Sequence, residues 1–359
     1  MNRPTAEGDA GVHALPAPDT AAPVTPVVRI APAKLNLTLA VVGRRSDGFH
    51  DLHSVMVPLG LVDRLSLSPA RAAADSLHVC GPDGGPVPGD PGPPERNLVL
   101  RAIAGARYAL RTSGMDFPLP ALAARLEKRI PVAAGLAGGS SDGAAALDGA
   151  LEAWGVAGAL DPVTRLAVAA SLGSDVPFFL AGGWALVEGR GERVTRLPGV
   201  RGPVPWVLLV TPAVSASTHA VFAAYVAGAR PPAGASLATS SHLAGELARG
   251  LAADRLLDWA GVLAAANDLA PATATLLPAI ARLRRGLGRL LARPVGQSGS
   301  GPTLWLLYPS ESAAAAAAEA VRRALAGGSL AAPGDRPPFV VATPLATGRP
   351  PRPGEGNQP

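Results

Sequence analysis

Polar and hydrophobic residues alternate in the first strongly patterned segment of the chain, VVRIAPAKLNLTLAVVGRR, which begins at Val27. Its polar residues Lys34, Asn36 and Thr38 alternate with leucines. Because successive side chains of a β-strand point to opposite faces, this period of two predicts one polar face and one core face. The apolar segment SVMVPLGLVDRLSL follows the polar stretch SDGFHDL, so the pattern predicts two strands joined by a loop.

The rest of the chain contains both helix-like and strand-like patterns. Helical spacing occurs in NLVLRAIAGARYAL, after residue 143 and in DPVTRLAVAASLG, where Asp161, Pro162 and Gly173 have the residue types of a cap, a first turn and a stop. Strands are predicted at ALAARLEKRI, VPWVLLVTP, TLWLLYP and PFVVATPL, a hairpin at GGWALVEGRGERVTRL, and a loop or insertion at ARPPAGASLATSSH. The fold class predicted from these patterns is α+β.

The two ends of the chain differ in composition from its middle. Residues 1–26 and 344–359 are rich in proline, glycine and polar residues, and we predict that they are disordered tails. Between them the patterns predict an N-terminal lobe over residues 27–195 and a C-terminal lobe over residues 200–343.

Composition narrows the classes of function. The net charge is +5, and the arginines are scattered, so no nucleic-acid-binding stripe is indicated, although a phosphorylated substrate is favoured. The single cysteine, Cys80, excludes an intrachain disulfide framework and a cysteine metal cluster. No apolar run has the length of a signal peptide core or a membrane span, so we expect a cytoplasmic protein with no membrane partner.

A glycine-rich segment, RIPVAAGLAGGSSDGAAALDGA, leads into a helical pattern. It contains Gly135, Gly138, Gly139, Ser140 and Ser141. Glycines let the backbone approach an anion, and the free amides and dipole at the start of a helix favour phosphate. Either serine can cap the helix, which is predicted to begin near Asp142. Taken alone, the segment fits a tight strand-to-helix turn equally well.

Two common nucleotide-binding motifs do not match this segment. A Walker-type loop requires a Gly-Lys pair, which the chain lacks. The dinucleotide fingerprint requires a strand that leads directly into G-x-G-x-x-G, whereas this segment has G-L-A-G-G-S-S after Pro131. A phosphate site of another kind is therefore indicated.

Four segments occur in one order along the chain: PAKLNLTLAVVGRRSDGFHDLHSV, PVAAGLAGGSSDGAAAL, LGSDVPFFLAGG and GQSGSGPTLWLLYP. Together they resemble the superfamily of galactokinase, homoserine kinase, mevalonate kinase and phosphomevalonate kinase (GHMP kinases), over roughly residues 28–343. The resemblance implies a two-lobed GHMP kinase fold, with an N-terminal lobe like ribosomal protein S5 domain 2 and a ferredoxin-like C-terminal lobe. It also implies an active site between the lobes, ATP as the phosphate donor, and Mg²⁺ with the nucleotide.

The first of these segments narrows the acceptor. It resembles the kinases that phosphorylate the 2-hydroxyl of cytidine-diphosphate methylerythritol in the non-mevalonate isoprenoid route, so a small-molecule substrate and a monomer or weak homodimer are expected. Homoserine or mevalonate kinase activity is the alternative within the superfamily. The pair Phe49 and His50 in the first segment argues against it, because those small acceptors have no base for an aromatic ring and a histidine to bind. A catalytically silent binding protein is the rival from another class, and the retained Lys34 and Asp175 argue against it.

The resemblance assigns the reaction to Lys34 and Asp175. Asp175 would accept or orient the proton of the acceptor hydroxyl. Lys34 would hold Asp175 ionised and stabilise the developing charge. The alternatives are a helix-capping aspartate and an ordinary solvated lysine. No carboxylate is assigned as a metal ligand.

The resemblance also assigns residues to ATP. Its phosphates would lie against Pro131, Val132, Ala133, Ala134, Gly135, Leu136, Ala137, Gly138, Gly139, Ser140 and Ser141. Asn97 would approach the adenine, with helix capping as its alternative role. The SGSGPT segment from Ser298 to Thr303 would border the phosphates from the other lobe, and Asn267 has no derivable role.

The acceptor is assigned to residues of both lobes. Phe49, which replaces the tyrosine usual in this family, and Phe222 would enclose the cytosine, with His50 hydrogen-bonded to the base. Asn36 and Thr218 would contact the methylerythritol or its phosphates. Core packing is the alternative for the two phenylalanines. Three further histidines, His53, His78 and His219, are predicted to be surface or loop residues.

Overall fold

The computed structural model describes residues 25–87, 92–115, 118–228 and 234–347. Most of both predicted tails lies outside these ranges. Residues 344–347 do not form a tail, because Pro344 ends a strand and Leu345 is fully buried. Among the described residues, no helix combines the length and the apolar character that crossing a bilayer requires.

The first lobe is built on a seven-stranded sheet. Its strands are β1 (Val27–Asn36), β2 (Ala40–Arg44), β3 (His50–Ala70), β4 (Ser76–Cys80), β5 (Ala121–Glu127), β6 (Ala185–Gly189) and β7 (Arg193–Arg196). Strand β3 has 21 residues and pairs antiparallel with β1, β2, β5 and β6. This one long strand therefore fixes the relative positions of most of the sheet.

Helices cover one face of this sheet. They are α1 (Leu98–Thr112), α2 (Gly138–Ala153), α3 (Pro162–Leu172) and the short α4 (Val176–Ala181). Leu65 and Leu67 of β3 pack against the buried faces of α1 and α2, for example Ile103 and Leu147. Asp161 caps α3 by accepting hydrogen bonds from two backbone amides, and Gly173 follows its last residue, as the sequence predicts.

The second lobe contains a four-stranded sheet and seven helices in its described part. Its strands are β8 (Trp206–Thr211), β9 (Gly296–Gln297), β10 (Leu304–Tyr308) and β11 (Phe339–Pro344). Its helices are α5 (Thr218–Ala227), α6 (Ala235–Ala248), α7 (Ala253–Asp258), α8 (Ala260–Ala265), α9 (Ala270–Leu276), α10 (Pro278–Leu291) and α11 (Glu311–Ala326).

The two lobes share a hydrophobic core. Leu35 and Val57 of the first sheet belong to the same buried cluster as Leu209 and Trp305 of the second. The alternate residues of β8, such as Leu208, pack instead against α10 and α11. Because both faces of β8 and β10 are covered, these strands are continuous apolar runs rather than alternating ones.

The structure confirms the predicted α+β class and most of its elements, with two differences. The segment predicted as a loop or insertion contains α6 from Ala235 onwards. The first patterned segment is two strands, because β1 ends at Asn36 and β2 begins at Ala40. The sheets separate along the chain between Arg196 and Trp206, close to the predicted boundary of the lobes.

Candidate active site

An open cavity of about 1270 Å³ is lined by residues of both lobes. We call the part lined by residues 131–135, 137–140 and 299–301 the loop end, and the part lined by Phe49, His50 and Phe222 the ring end. Strand β3 spans the distance between the two ends. Lys34 pairs with Pro58 of β3, and Arg44 pairs with His50 at the start of the same strand. His50 and Pro58 are eight residues apart, which is roughly 26 Å along an extended strand.

The glycine-rich segment forms the wall of the loop end. Nine of the eleven residues assigned to ATP phosphates line the cavity. The exceptions are Leu136, which is buried in the shared core, and Ser141, which is buried within α2. The carbonyl of Leu136 accepts a hydrogen bond from the Lys34 amide at 3.0 Å, so this residue ties the segment to β1.

Helix α2 begins at Gly138, four residues before the predicted start. Ala137 precedes it in the left-handed conformation with φ of 53°, and no side chain caps the helix. The prediction that Ser140 or Ser141 caps the helix is therefore wrong, because both lie inside it. The first amides of a helix have no intrahelical acceptor, so these amides of α2 are available to an anion in the cavity.

Gly135 brings the two glycine segments into contact. Its φ is +77°, and a Cβ atom there would lie 2.6 Å from the Ser298 carbonyl oxygen and 2.8 Å from that of Gly301. The Ser298 hydroxyl donates to the Gly135 carbonyl at 3.0 Å. Only glycine fits this close approach. A Cβ atom on Gly139, by contrast, would meet no protein atom within 4 Å.

Lys34 and Asp175 lie together beside the glycine segments. The buried ammonium of Lys34 is 3.7 Å from a carboxylate oxygen of Asp175, whose side chain is 30% exposed. Asp175 occupies the cap position of α4 but makes no capping hydrogen bond, so the helix-capping alternative is wrong. The solvated-lysine alternative is wrong too, because Lys34 is 4% exposed.

Asn36 positions Lys34. Its Oδ1 accepts from the Lys34 ammonium at 2.6 Å, and its Nδ2 donates to the Ser54 hydroxyl at 2.8 Å. Asn36 lines the cavity, but these bonds engage both polar atoms of its side chain. The arrangement therefore favours a role in orienting the ammonium over the predicted contact with the acceptor.

A buried charge cluster supports the loop end and was absent from the sequence prediction. The Lys128 ammonium donates to both Asp63 and Asp142, at 2.7 Å for Asp142. Asp63 also accepts from the backbone amides of Arg129 and Ile130, which lead into the glycine-rich segment. Lys128 is one of only two lysines in an arginine-rich chain, and this is the signal that could have identified it.

Burial sets the charge state of this cluster. Together with the neighbouring Asp63 carboxylate, burial raises the pKa of Asp142 to about 7, against the attraction of the Lys128 ammonium. Burial lowers the pKa of Lys128, but the two carboxylates outweigh it, so the net shift is upward. Both Lys128 and Asp142 line the cavity, so their charges face the same space as the α2 amides.

Asn267 acquires a structural role. Its Nδ2 donates to the carbonyl oxygens of Gln297 and Gly299, at 2.9 and 3.0 Å. These bonds hold the SGSGPT segment against the cavity, which Gly299, Ser300 and Gly301 line. The segment therefore reaches the cavity from the other lobe, as predicted, and its position at the ATP phosphates stays a prediction.

The ring end is arranged differently from the prediction. The His50 ring stacks on Phe222 with centroids 4.9 Å apart, and the edge of Tyr225 lies nearby. Phe49 is 50% exposed, and the Arg190 guanidinium lies 5.1 Å from its ring centre. Core packing is therefore wrong for Phe49. Phe222 is half-buried against a small apolar cluster as well as lining the cavity.

Two assigned residues line the cavity and also have local partners. Asn97 caps α1 by accepting from the Val99 amide at 3.0 Å, so its capping alternative is confirmed. The hydroxyl of Thr218 lies 3.2 Å from that of Ser300.

The histidines that were predicted to be surface or loop residues differ in their surroundings. His53 is not a surface or loop residue, because it lies in β3, half-buried, with its Nδ1 2.9 Å from the Ser240 hydroxyl. His78 is exposed on β4, as predicted for a surface residue. His219 is exposed on α5 and lines the cavity.

Sequence comparisons identify related proteins. Family models described as the GHMP kinases N terminal domain and the GHMP kinases C terminal match residues 97–183 and 246–327. A 4-diphosphocytidyl-2-C-methyl-D-erythritol kinase of Paramagnetospirillum magneticum is 39% identical over 294 residues, covering 80% of this chain and 91% of the relative. One of Pelotomaculum thermopropionicum is 38% identical, covering 83% and 94%.

Two solved structures resemble the fold of this chain. The crystal structure of a 4-(cytidine 5'-diphospho)-2C-methyl-D-erythritol kinase superposes with a TM-score of 0.58 at 31% identity, covering 88% of this chain and 99% of the other. Homoserine kinase from Cytophaga hutchinsonii superposes with a TM-score of 0.61 at 18% identity, covering 91% and 96%. The second similarity concerns the fold alone.

Proposed function

Because the chain belongs to the 4-diphosphocytidyl-2-C-methyl-D-erythritol kinases, a family of GHMP kinases, we propose that it transfers the γ-phosphate of ATP to the 2-hydroxyl of 4-diphosphocytidyl-2-C-methyl-D-erythritol. The product would serve the non-mevalonate route to isoprenoid precursors. One observation carries the proposal: Lys34 and Asp175 lie in a single cavity that has glycine segments at one end and aromatic rings at the other.

Asp175 and Lys34 act on the acceptor hydroxyl. Phosphoryl transfer depends mainly on positioning and charge stabilisation. Asp175 accepts or orients the hydroxyl proton, and Lys34, 3.7 Å away, pairs with the carboxylate and stabilises the negative charge on the transferred group. Asn36 and Ser54 hold the Lys34 ammonium in place.

ATP binds at the loop end. The first amides of α2 donate to its phosphates, and Gly139 leaves room for the phosphates to approach. Lys128 contributes positive charge from beneath the segment. Asn97 is proposed to lie near the adenine, since it lines the same cavity.

The residues present fit a Mg²⁺ ion that arrives with the nucleotide. Mg²⁺ is usually held by one or two carboxylates together with substrate phosphates. Asp175 and Ser140 both line the cavity and would hold it, and the described part of the chain has no cluster of three or more His, Cys, Asp or Glu side chains that would bind a metal alone. Bound Mg²⁺ would neutralise phosphate charge.

The cytidine of the acceptor binds at the ring end. Phe49 offers an exposed stacking face, and stacking of a base on an aromatic ring contributes about 1–3 kcal/mol. Phe222 holds the His50 ring by stacking, which orients it to hydrogen-bond the cytosine. Thr218 is proposed to lie nearer the phosphates, beside Ser300.

The proposal extends to the organisation of the protein. We assign residues 27–195 to the ATP-binding lobe and residues 200–343 to the C-terminal lobe. A cytoplasmic location, with no nucleic-acid partner and a monomeric or weakly dimeric state, completes it.

Product analysis tests the proposed acceptor. The protein is incubated with ATP and, in separate reactions, 4-diphosphocytidyl-2-C-methyl-D-erythritol, homoserine or mevalonate, and the products are identified by ³¹P NMR and mass spectrometry. We expect a new phosphate monoester with the cytidine compound alone. Phosphorylation of homoserine or mevalonate in its place would contradict the assignment of the ring end to cytosine.

A further inference from the structure

The C-terminal lobe has a second cavity, of about 460 Å³, beside α10. Small and apolar side chains form most of its wall, including Ala264, Ala270, Ile280 and Val295. Its polar lining is Arg284, Arg285, Arg293 and Gln297. The lining therefore combines apolar side chains with three arginines, of which Arg293 also donates to the Leu307 carbonyl and lies over the Tyr308 ring.

These three arginines have no countercharge. No carboxylate is among the described residues that line the cavity, and none of the three arginines forms an ion pair in the described ranges. Arg284 is half-buried, and burial lowers its pKa. A guanidinium that is partly withdrawn from water without a carboxylate favours binding of an anion from solution.

The geometry leaves hydrogen-bond donors free. Arg284 uses Nε and Nη2 to donate to the carbonyls of Val295 and Ala264, at 2.7 and 2.9 Å. These bonds fix its guanidinium in place. Arg285 makes no hydrogen bond or ion pair with other described residues, so all its donors are available. Because both residues line one cavity, a held guanidinium and a free one provide fork-shaped donors for a phosphate.

We infer that this cavity binds a small phosphate monoester with a short alkyl body. The phosphate would accept hydrogen bonds from Arg284 and Arg285, and the alkyl group would cover the apolar floor formed by Ala264 and Ile280. The site lies behind the loop end, since the Gln297 amide in its wall donates to the carbonyl of Gly299 at 3.2 Å.

The alternative is that α10 merely exposes arginines to solvent. Arg282 and Arg289 belong to the same helix and are exposed, as Arg285 is, but unlike Arg285 they do not line the cavity. They provide matched controls, because replacing either one changes the net charge of α10 equally without altering the cavity.

Isothermal titration calorimetry with butyl phosphate tests the inference, with ADP present at saturation to occupy the loop end. We expect wild type and Arg289→Gln to bind alike, and Arg285→Gln and Arg284→Gln to bind about tenfold more weakly or worse. Inorganic phosphate should bind more weakly than butyl phosphate.

Thermal unfolding of each variant separates lost binding from lost folding. Arg285 makes no hydrogen bond with other described residues, so Arg285→Gln should unfold at the wild-type temperature and is the decisive variant. The inference is overturned if wild type does not bind butyl phosphate. It is equally overturned if Arg285→Gln and Arg289→Gln bind it with the same affinity.

Discussion

The two ends of the main cavity are built in different ways. At the loop end, backbone atoms and buried charges are fixed by many hydrogen bonds, as where Gly135 meets Ser298 and where Lys128 joins Asp63 to Asp142. At the ring end, the Phe49 side chain is half exposed, and the His50 ring is held by stacking on Phe222. Phosphoryl transfer requires hydrogen-bond donors at fixed positions, whereas a planar base can stack on any well-placed aromatic ring. This difference in what each ligand requires matches the difference between the loop end and the ring end.

The comparison predicts that the largest effect on turnover comes from the reacting pair beside the loop end. Asp175→Asn should lower kcat by about 10²–10⁴, because a carboxylate that orients or accepts the proton is lost. ATP affinity measured by calorimetry without Mg²⁺ should change little, because Asp175 is proposed to reach the nucleotide only through the metal ion. The exposed Asp258→Asn is the control and should keep wild-type turnover. Wild-type kcat in Asp175→Asn would remove this residue from the mechanism.

A matched pair of glycine variants probes the loop end. Gly135→Ala should lower the free energy of unfolding by about 1–2 kcal/mol or more, because alanine is strained at positive φ and its Cβ atom would contact two carbonyls. Gly139→Val has room within the protein, so it should weaken ATP binding by obstructing the phosphates while leaving folding nearly unchanged.

Urea denaturation and ATP titration separate the two glycine effects. If Gly139→Val binds ATP as wild type does, then the glycine segment is only a turn. If Gly135→Ala is as stable as wild type, then its contact with Ser298 is not a constraint.

The ring end should show a smaller and more selective effect. Phe49→Ala should raise KM or lower kcat/KM for the cytidine substrate about tenfold to a hundredfold, the equivalent of about 1–3 kcal/mol of lost stacking. Phe49→Tyr keeps the ring and should be nearly neutral. Steady-state kinetics with both substrates varied gives the result. Equal loss for ATP and the cytidine substrate would contradict the separation of the two ends.

A change in the buried cluster of Lys128, Asp63 and Asp142 is expected to affect turnover least. Its effect is measured instead on the free energy of unfolding. Asp142 has a pKa of about 7 in the folded protein and an ordinary value of 3.8. Between these values the folded state binds more protons than the unfolded state, so this carboxyl makes stability fall as pH rises from about 4 to 7.

Asp142→Asn removes that titration and keeps the size of the side chain. The free energy of unfolding of wild type, relative to the variant, should therefore decrease as pH is raised from 5 to 7, by on the order of 1 kcal/mol per pH unit at most. Urea denaturation at several pH values measures it. Parallel curves for the two proteins would show that Asp142 does not titrate in this window.

The comparison also explains which features were predictable. Strands and helices with local patterns, such as β8 and α3, were predicted, as was the approach of the SGSGPT segment to the cleft from the other lobe. The direct contact of this segment with Gly135 was not. The start of α2 was missed because Ala137 adopts a left-handed conformation that its residue type does not favour. Helix α6 was missed because its serines, threonine and glycine resemble a loop.

Contacts between distant residues account for the other differences. The Lys128 ammonium meets carboxylates 65 and 14 residues away along the chain. The stack of His50 on Phe222 joins β3 to α5, which are far apart along the chain. No local pattern therefore predicts that the Phe222 ring packs against His50 instead of lying opposite the Phe49 ring. The residue types indicated the chemistry of both ends of the cavity. Only the fold determines which of these side chains bond to other protein atoms and which stay open to a ligand.

A crossed binding experiment tests most directly the claim that one cavity holds the two substrates at separate ends. ATP and 4-diphosphocytidyl-2-C-methyl-D-erythritol are each titrated calorimetrically into Gly139→Val and Phe49→Ala. We predict that Gly139→Val weakens ATP alone and that Phe49→Ala weakens the cytidine compound alone, by about tenfold to a hundredfold. Equal weakening of both ligands in each variant, or the reversed pattern, would contradict the account.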